Sequence, residues 1–156
     1  MNQNTPQETI TLDVRPVLAA GEEPLQMILE AADSLGRGGI LEVTAPFEPL
    51  PLYGVLSGRG FAHAMAEPEP GTYLVRFTQT GITGDTTVAE AYERYPATAE
   101  PLADYGLDLC CGGVHPISFA AEAHGVDPER LLADLQQAAL SDLRQAVNGV
   151  TRPNRA

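Results

Sequence analysis

Thr9-Ile10-Thr11-Leu12-Asp13-Val14 alternates polar and apolar residues, the period of a half-buried strand, and Arg15-Pro16 ends it. Pro24 suits the first turn of a helix. Leu25, Ile28, Leu29, Ala32 and Leu35 then recur at helical spacing and give one apolar face, which Gly36-Arg37-Gly38-Gly39 stops. Ile40–Thr44 reads as a second strand. Pro46, Pro49 and Pro51 stiffen the next connection, and a short helix from Leu52 to Ser57 precedes Gly58-Arg59-Gly60. Phe61–Ala66 gives a third strand and Thr72–Phe77 a fourth, joined as a hairpin by the turn signal Pro68-Glu69-Pro70-Gly71. The order strand-helix-strand-helix-strand-strand places helices on one face of a small sheet, a two-layer α/β sandwich over residues 8–79.

Thr78 to Asp85, with Gly81 and Gly84, reads as a linker, and the period then turns helical. Thr87 with Glu90 three residues on is a capping box, and Val88, Ala91, Tyr92 and Tyr95 line one face of the helix it starts. Pro96 breaks that helix. A second, short helix runs from about Thr98, with Pro101 early, then Leu102 and Tyr105, and Gly106 as its C-terminal glycine. Pro116 opens a third, with Ile117, Phe119, Ala120 and Ala123 inward and Gly125 closing it. Asp127-Pro128 caps a fourth, built on Leu131, Leu132, Leu135, Ala139 and Leu143 and ended by Gly149. The fold class is therefore α+β: a sandwich followed by a small all-helical domain over residues 85–149, with residues 150–156 as a frayed tail. A helical core of about 65 residues is marginal alone. Docking on the first half, a bound metal or a homodimer would support it; the Leu/Ala stripe of the last helix reads as core, and its later turns are available for a self-contact.

Composition narrows the function classes. The 156 residues are 44% hydrophobic, enough for a packed core. The net charge is −12 and all nine basic residues are arginine, so the positive footprint of a nucleic-acid binder is missing and anionic membrane surfaces are disfavoured. No apolar run approaches the roughly 20 residues that span a bilayer. Met1-Asn2-Gln3-Asn4-Thr5-Pro6 has no secretory character, so a cytoplasmic setting with reduced, reactive or metal-bound thiols is expected.

The chemistry concentrates in Leu107-Asp108-Leu109-Cys110-Cys111-Gly112-Gly113-Val114-His115-Pro116, which holds the only two cysteines. A thiolate is a nucleophile and a soft metal ligand. Gly112 and Gly113 can turn backbone N–H groups toward an anion, a cluster sulfide or a sulfur species. Three uses stay open for Cys110 and Cys111: a strained vicinal disulfide suited to redox switching; iron or an iron–sulfur cluster, two chains together reaching four sulfurs; or a persulfide or nitrosyl carried on a thiolate of lowered pKa. His115 can add a nitrogen ligand, though two Cys and one His fall one short of a closed zinc site. Against these stands the plain alternative of two small buried hydrophobes and a turn. Asp108 and Tyr105 shape the loop, His124 sits at a helix C-terminus where a cation is favoured, and His63, on the third strand, takes a structural or surface role. No acid–base pair or nucleophilic triad is legible, so an enzyme is not the favoured reading.

Two resemblances sharpen this picture. Leu12-Asp13-Val14-Arg15 and the helix entry Gly21-Glu22-Glu23-Pro24 resemble the TusA-like sulfur-carrier fold, over roughly residues 10–78. The persulfide cysteine of that fold is absent from Ala20-Gly21-Glu22-Glu23. Pro51-Leu52-Tyr53 is similar to the helix opening of its cysteine-less relatives, whose role is undefined, and Phe47-Glu48 stands where they often have a histidine. In the second half, Thr87-Val88-Ala89-Glu90, Tyr95-Pro96-Ala97-Thr98, Tyr105 to Gly113 and Ala120-Ala121-Glu122-Ala123 resemble the ScdA-type amino-terminal domain, over roughly residues 85–137. That domain begins di-iron proteins that repair iron–sulfur centres after nitric oxide or oxidative damage. The resemblance implies an accessory role in such repair, carried by Cys110 and Cys111 with iron or a cluster. His115 and His124 alone after Cys111 cannot build the family's di-iron site, so a di-iron or iron–sulfur partner protein is implied. A sulfur relay through Cys110 or Cys111 and a non-catalytic interaction adaptor are the alternatives.

Overall fold

The computed structural model describes residues 8–107 and 113–151. Its packing divides the chain into two units, Met1–Leu56 with Phe61–Gly81, and Ser57–Gly60 with Ile82–Ala156.

The first unit runs β1 (Thr9–Asp13), α1 (Arg15–Ala19), α2 (Leu25–Asp33), β2 (Ile40–Ala45), α3 (Leu50–Ser57), β3 (Phe61–Glu69) and β4 (Thr72–Gln79). The sheet order is β1-β2-β4-β3, with β1 and β2 parallel and the other pairs antiparallel. Register follows the alternation read from the sequence. Leu12, Val43, Val75 and Met65 align across the sheet on one face, as do Ile10, Leu41, Phe77 and His63. That face packs on Ile28 and Ala32 of α2 and Leu52 and Leu56 of α3. Thr11, Glu42, Arg76 and Ala64 align on the other, where Arg76 Nη2 pairs with Glu42 Oε2 at 2.6 Å. A one-residue slip would exchange the two faces, so burial of Leu41, Val43, Val75 and Phe77 fixes the pairing.

Three local expectations change. Arg15-Pro16 ends β1 but also opens α1, with proline in the first turn, where its missing N–H costs nothing. β3 continues to Glu69, so the turn shrinks to Pro70-Gly71, with Gly71 at φ +83°. The strand accommodates Pro68 because β3 is an edge and its register shifts between Ala66 and Glu69. The stretch read as a linker is structured too: Thr78 and Gln79 finish β4, Thr80 and Thr86 are buried, and Ile82 is a core residue of the second unit.

The second unit is helical: α4 (Val88–Arg94), a 3₁₀ turn (Pro96–Thr98), α5 (Ala99–Asp104), α6 (Ile117–Ala123) and α7 (Pro128–Thr151). The capping box at α4 is present, Glu90 N donating to Thr87 Oγ1 and Thr87 N to Glu90 Oε1, each at 3.1 Å. Thr87→Ala is expected to lower stability by about 1 kcal/mol, and Thr87→Ser to restore most of it; denaturant midpoints of the three proteins measure this. Val88, Ala91, Tyr95, Leu102, Ile117, Leu131 and Leu135 form the centre of the core. Gln136 is also buried, and its Nε2 donates to the Ile82 carbonyl at 2.8 Å.

Three residues expected inward face out: Tyr92, Phe119 and Ala123. On α6 the inward face is Ile117, Ala120 and Ala121, so two small residues are inward and the phenyl ring is left 51% exposed. Helix α7 also passes Gly149 and reaches Thr151; a glycine inside a helix costs about 1 kcal/mol relative to alanine but need not end it.

Candidate functional site

Asp108, Cys110, Cys111 and Gly112 lie outside the described residues; the structure shows the frame on either side of them. On the outgoing side, α5 ends at Asp104 and Gly106 takes φ +77°, a left-handed turn that favours glycine. Leu107 N then donates back to the Leu102 carbonyl at 2.9 Å, and the Leu107 side chain is buried in the core. Tyr105 Oη donates to Asp134 Oδ2 on α7, a bond that pushes the phenol pKa upward. On the returning side, Gly113 is buried and its carbonyl accepts from Ala89 N at 2.8 Å. The His115 carbonyl accepts from Val88 N at 3.0 Å, and Ile117 N donates to the Thr86 carbonyl at 2.8 Å. The segment bearing the thiols is thus anchored before and after, to α7 and to the start of α4.

The His115 side chain is exposed and its ring lies tilted against Phe119, with centroids 4.6 Å apart. Val114 beside it is 77% exposed. His124 is the C-cap of α6, as its place before Gly125 implies. It stands at the opposite end of that seven-residue helix from His115, about 10 Å along the axis. Among the described residues, no group of three or more His, Cys, Asp or Glu is placed to hold a metal. The donor set the sequence offers at the loop is two thiols and the His115 imidazole. Sulfur and imidazole suit iron by softness, and one chain stops short of four ligands.

Sequence reasoning missed a cluster in the first unit. His63 pairs with Phe77 on the helix-covered face, and Tyr53 from α3 stacks on it at 3.7 Å with the rings 8° apart. Tyr53 Oη donates to Glu48 Oε2 at 3.0 Å. Burial, reinforced by that bond, pushes the Tyr53 phenol far above its ordinary range. Burial also holds His63 below its ordinary 6.5, with Glu48 opposing the shift. The folded protein then binds fewer protons here than the unfolded chain. The resulting stability is fully present above pH 6.5 and is lost as pH falls below it. The loss of stability between pH 7.5 and 5.5 is expected to be smaller in His63→Phe, which keeps a stacking ring, than in the parent; denaturant midpoints at the two pH values measure it. Asp13 of the Leu-Asp-Val-Arg string has a local structural role. Its carboxylate takes Arg15 N at 3.1 Å, Nε at 2.9 Å and Nη2 at 2.7 Å, and these bonds hold its pKa at about 2.

Residues 11–79 match a family described as uncharacterized conserved protein (DUF2249). Residues 84–139 match ScdA_N, a domain of unknown function (DUF542). Each match covers less than half of the chain. The ScdA_N match contains Cys110, Cys111 and the anchoring residues on both sides. Over 56 residues the chain is 36% identical to the iron-sulfur cluster repair protein ScdA of Staphylococcus haemolyticus (strain JCSC1435), covering 36% of this chain and 25% of that protein. The chain therefore spans about a quarter of the length of that curated relative. No solved structure matches the chain. Among the described residues, no helix is long and apolar enough to cross a membrane.

Proposed function

We propose that this chain is a cytoplasmic accessory protein in the repair of iron–sulfur centres under nitric oxide or oxidative stress. Cys110 and Cys111 are its reactive groups, and iron, a cluster or a nitrosyl species is the cargo they handle. One observation carries the reading: the adjacent thiols fall within the segment that matches ScdA_N, and the chain is 36% identical over 56 residues to a protein named for iron–sulfur cluster repair. The frame adds a physical argument. Anchoring at Leu107, Gly113 and His115 lets the loop meet an outside metal without unfolding the helical core.

Glycine at positions 112 and 113 permits backbone N–H groups to turn toward bound sulfur or anion, and His115 is the nearest imidazole in the sequence to the thiols. A homodimer brings four sulfurs together, the number that iron–sulfur clusters take; a di-iron or iron–sulfur protein is the other partner the chemistry calls for. No acid–base pair is required of the chain, which acts as a carrier or donor and not as a catalyst. The test uses a dehydratase whose cluster has been nitrosylated. Incubated without oxygen with this protein and a thiol reductant, it is expected to regain activity faster than with the Cys110→Ser/Cys111→Ser variant. Equal recovery with both proteins contradicts the proposal.

A further inference from the structure

The first unit contains a hollow of about 210 Å³ that none of the chemistry above uses. It opens at the carboxyl end of the parallel pair, where Val14 follows β1 and Ala45 ends β2, between the starts of α2 and α3. Open α/β sheets bind ligands at this end of their strands. Ile28, Val43 and Ala45 are fully buried in its floor, and Phe47, half exposed, stands on its rim. Glu23 is the one lining residue with a charge, and it is exposed.

Protein interiors leave few voids larger than a water molecule. An ordered water needs two to four polar partners, which this apolar floor does not offer, and an engineered apolar cavity of about 150 Å³ takes up benzene. A hollow of this size therefore suits a single substituted ring or a short branched chain. Its only charged group is a carboxylate, which favours a cationic head over an anionic one. We propose that the hollow is a binding site for a small apolar amine, its hydrocarbon body against Val43 and Ala45 and its ammonium paired with Glu23.

The test titrates the full chain, labelled with nitrogen-15, with 2-phenylethylamine and with 3-phenylpropionate, which has similar size and opposite charge. The amine is expected to give saturable amide shifts centred on Leu25, Ile28, Val43 and Ala45, and to bind more tightly than the carboxylate. Glu23→Gln is expected to weaken the amine about threefold, the size of an exposed ion pair. Ala45→Leu, which fills the floor, is expected to abolish the shifts. Shifts that do not saturate, equal or tighter binding of 3-phenylpropionate, or an unchanged affinity in Glu23→Gln overturns the proposal. If Ala45→Leu does not fold, the Glu23→Gln comparison decides alone, because that exposed side chain lies outside the core.

Discussion

Replacing Cys110 and Cys111 together by serine is expected to abolish iron binding by the chain while leaving its fold intact. Sulfur is the soft donor in this loop, and a serine hydroxyl remains protonated where a thiolate forms. Loss of a group that merely orients a metal ligand costs about 10–100-fold in affinity, so loss of both ligating sulfurs costs about 100-fold or more. The described core has residues on both sides of the loop. It is built from Leu107 on one side of the loop and from Ile117, Ala120 and Ala121 on the other. Far-UV circular dichroism and the denaturant midpoint of the double variant are therefore expected to match the parent, while iron and acid-labile sulfide fall to background. Retained iron in the double variant would place the metal elsewhere. The single variants are expected to fall between, because one thiol and His115 remain.

The second large effect is on stability. Leu135 is completely buried at the centre of the helical core. Leu135→Ala removes its methyl groups and leaves a cavity, which costs about 2–5 kcal/mol. A single core in a unit of this size supplies only about 3–5 kcal/mol, so the variant is expected to leave the helical unit largely unfolded at 25 °C. Loss of helical circular dichroism, together with loss of dispersed amide signals from residues 82–143, measures it. A destabilisation below about 1 kcal/mol would show that α7 does not pack through Leu135. The same variant is expected to lose iron, because unfolding releases the anchors at Leu107 and Gly113.

What the sequence made legible were features written in neighbouring residues. The Thr87–Glu90 box, the left-handed glycines at 106 and 125, the alternation of β1 and β4 and the apolar stripe of α2 are local, and the structure has them. The α+β class followed from their order. Features set by distant segments were not legible. Whether Phe119 or Ala121 faces inward on α6 depends on how closely other elements approach, and the close packing selected the small residue. Likewise Glu48, Tyr53 and His63 meet because sheet register puts His63 beside Phe77 and α3 lays Tyr53 over it; no spacing in the sequence encodes that. Arg15-Pro16 was ambiguous in principle, since proline both ends strands and begins helices. The cysteine loop was legible as a motif, and the structure adds how the backbone on each side is held.

The central claim is that these adjacent thiols take up iron. It is tested most directly by the visible absorption spectrum and iron content of the full chain purified without oxygen and supplied with ferrous iron and sulfide. The account predicts thiolate-to-iron charge-transfer bands and stoichiometric iron, both lost in Cys110→Ser/Cys111→Ser. A colourless, iron-free parent protein, or bands that persist in the double variant, would contradict it.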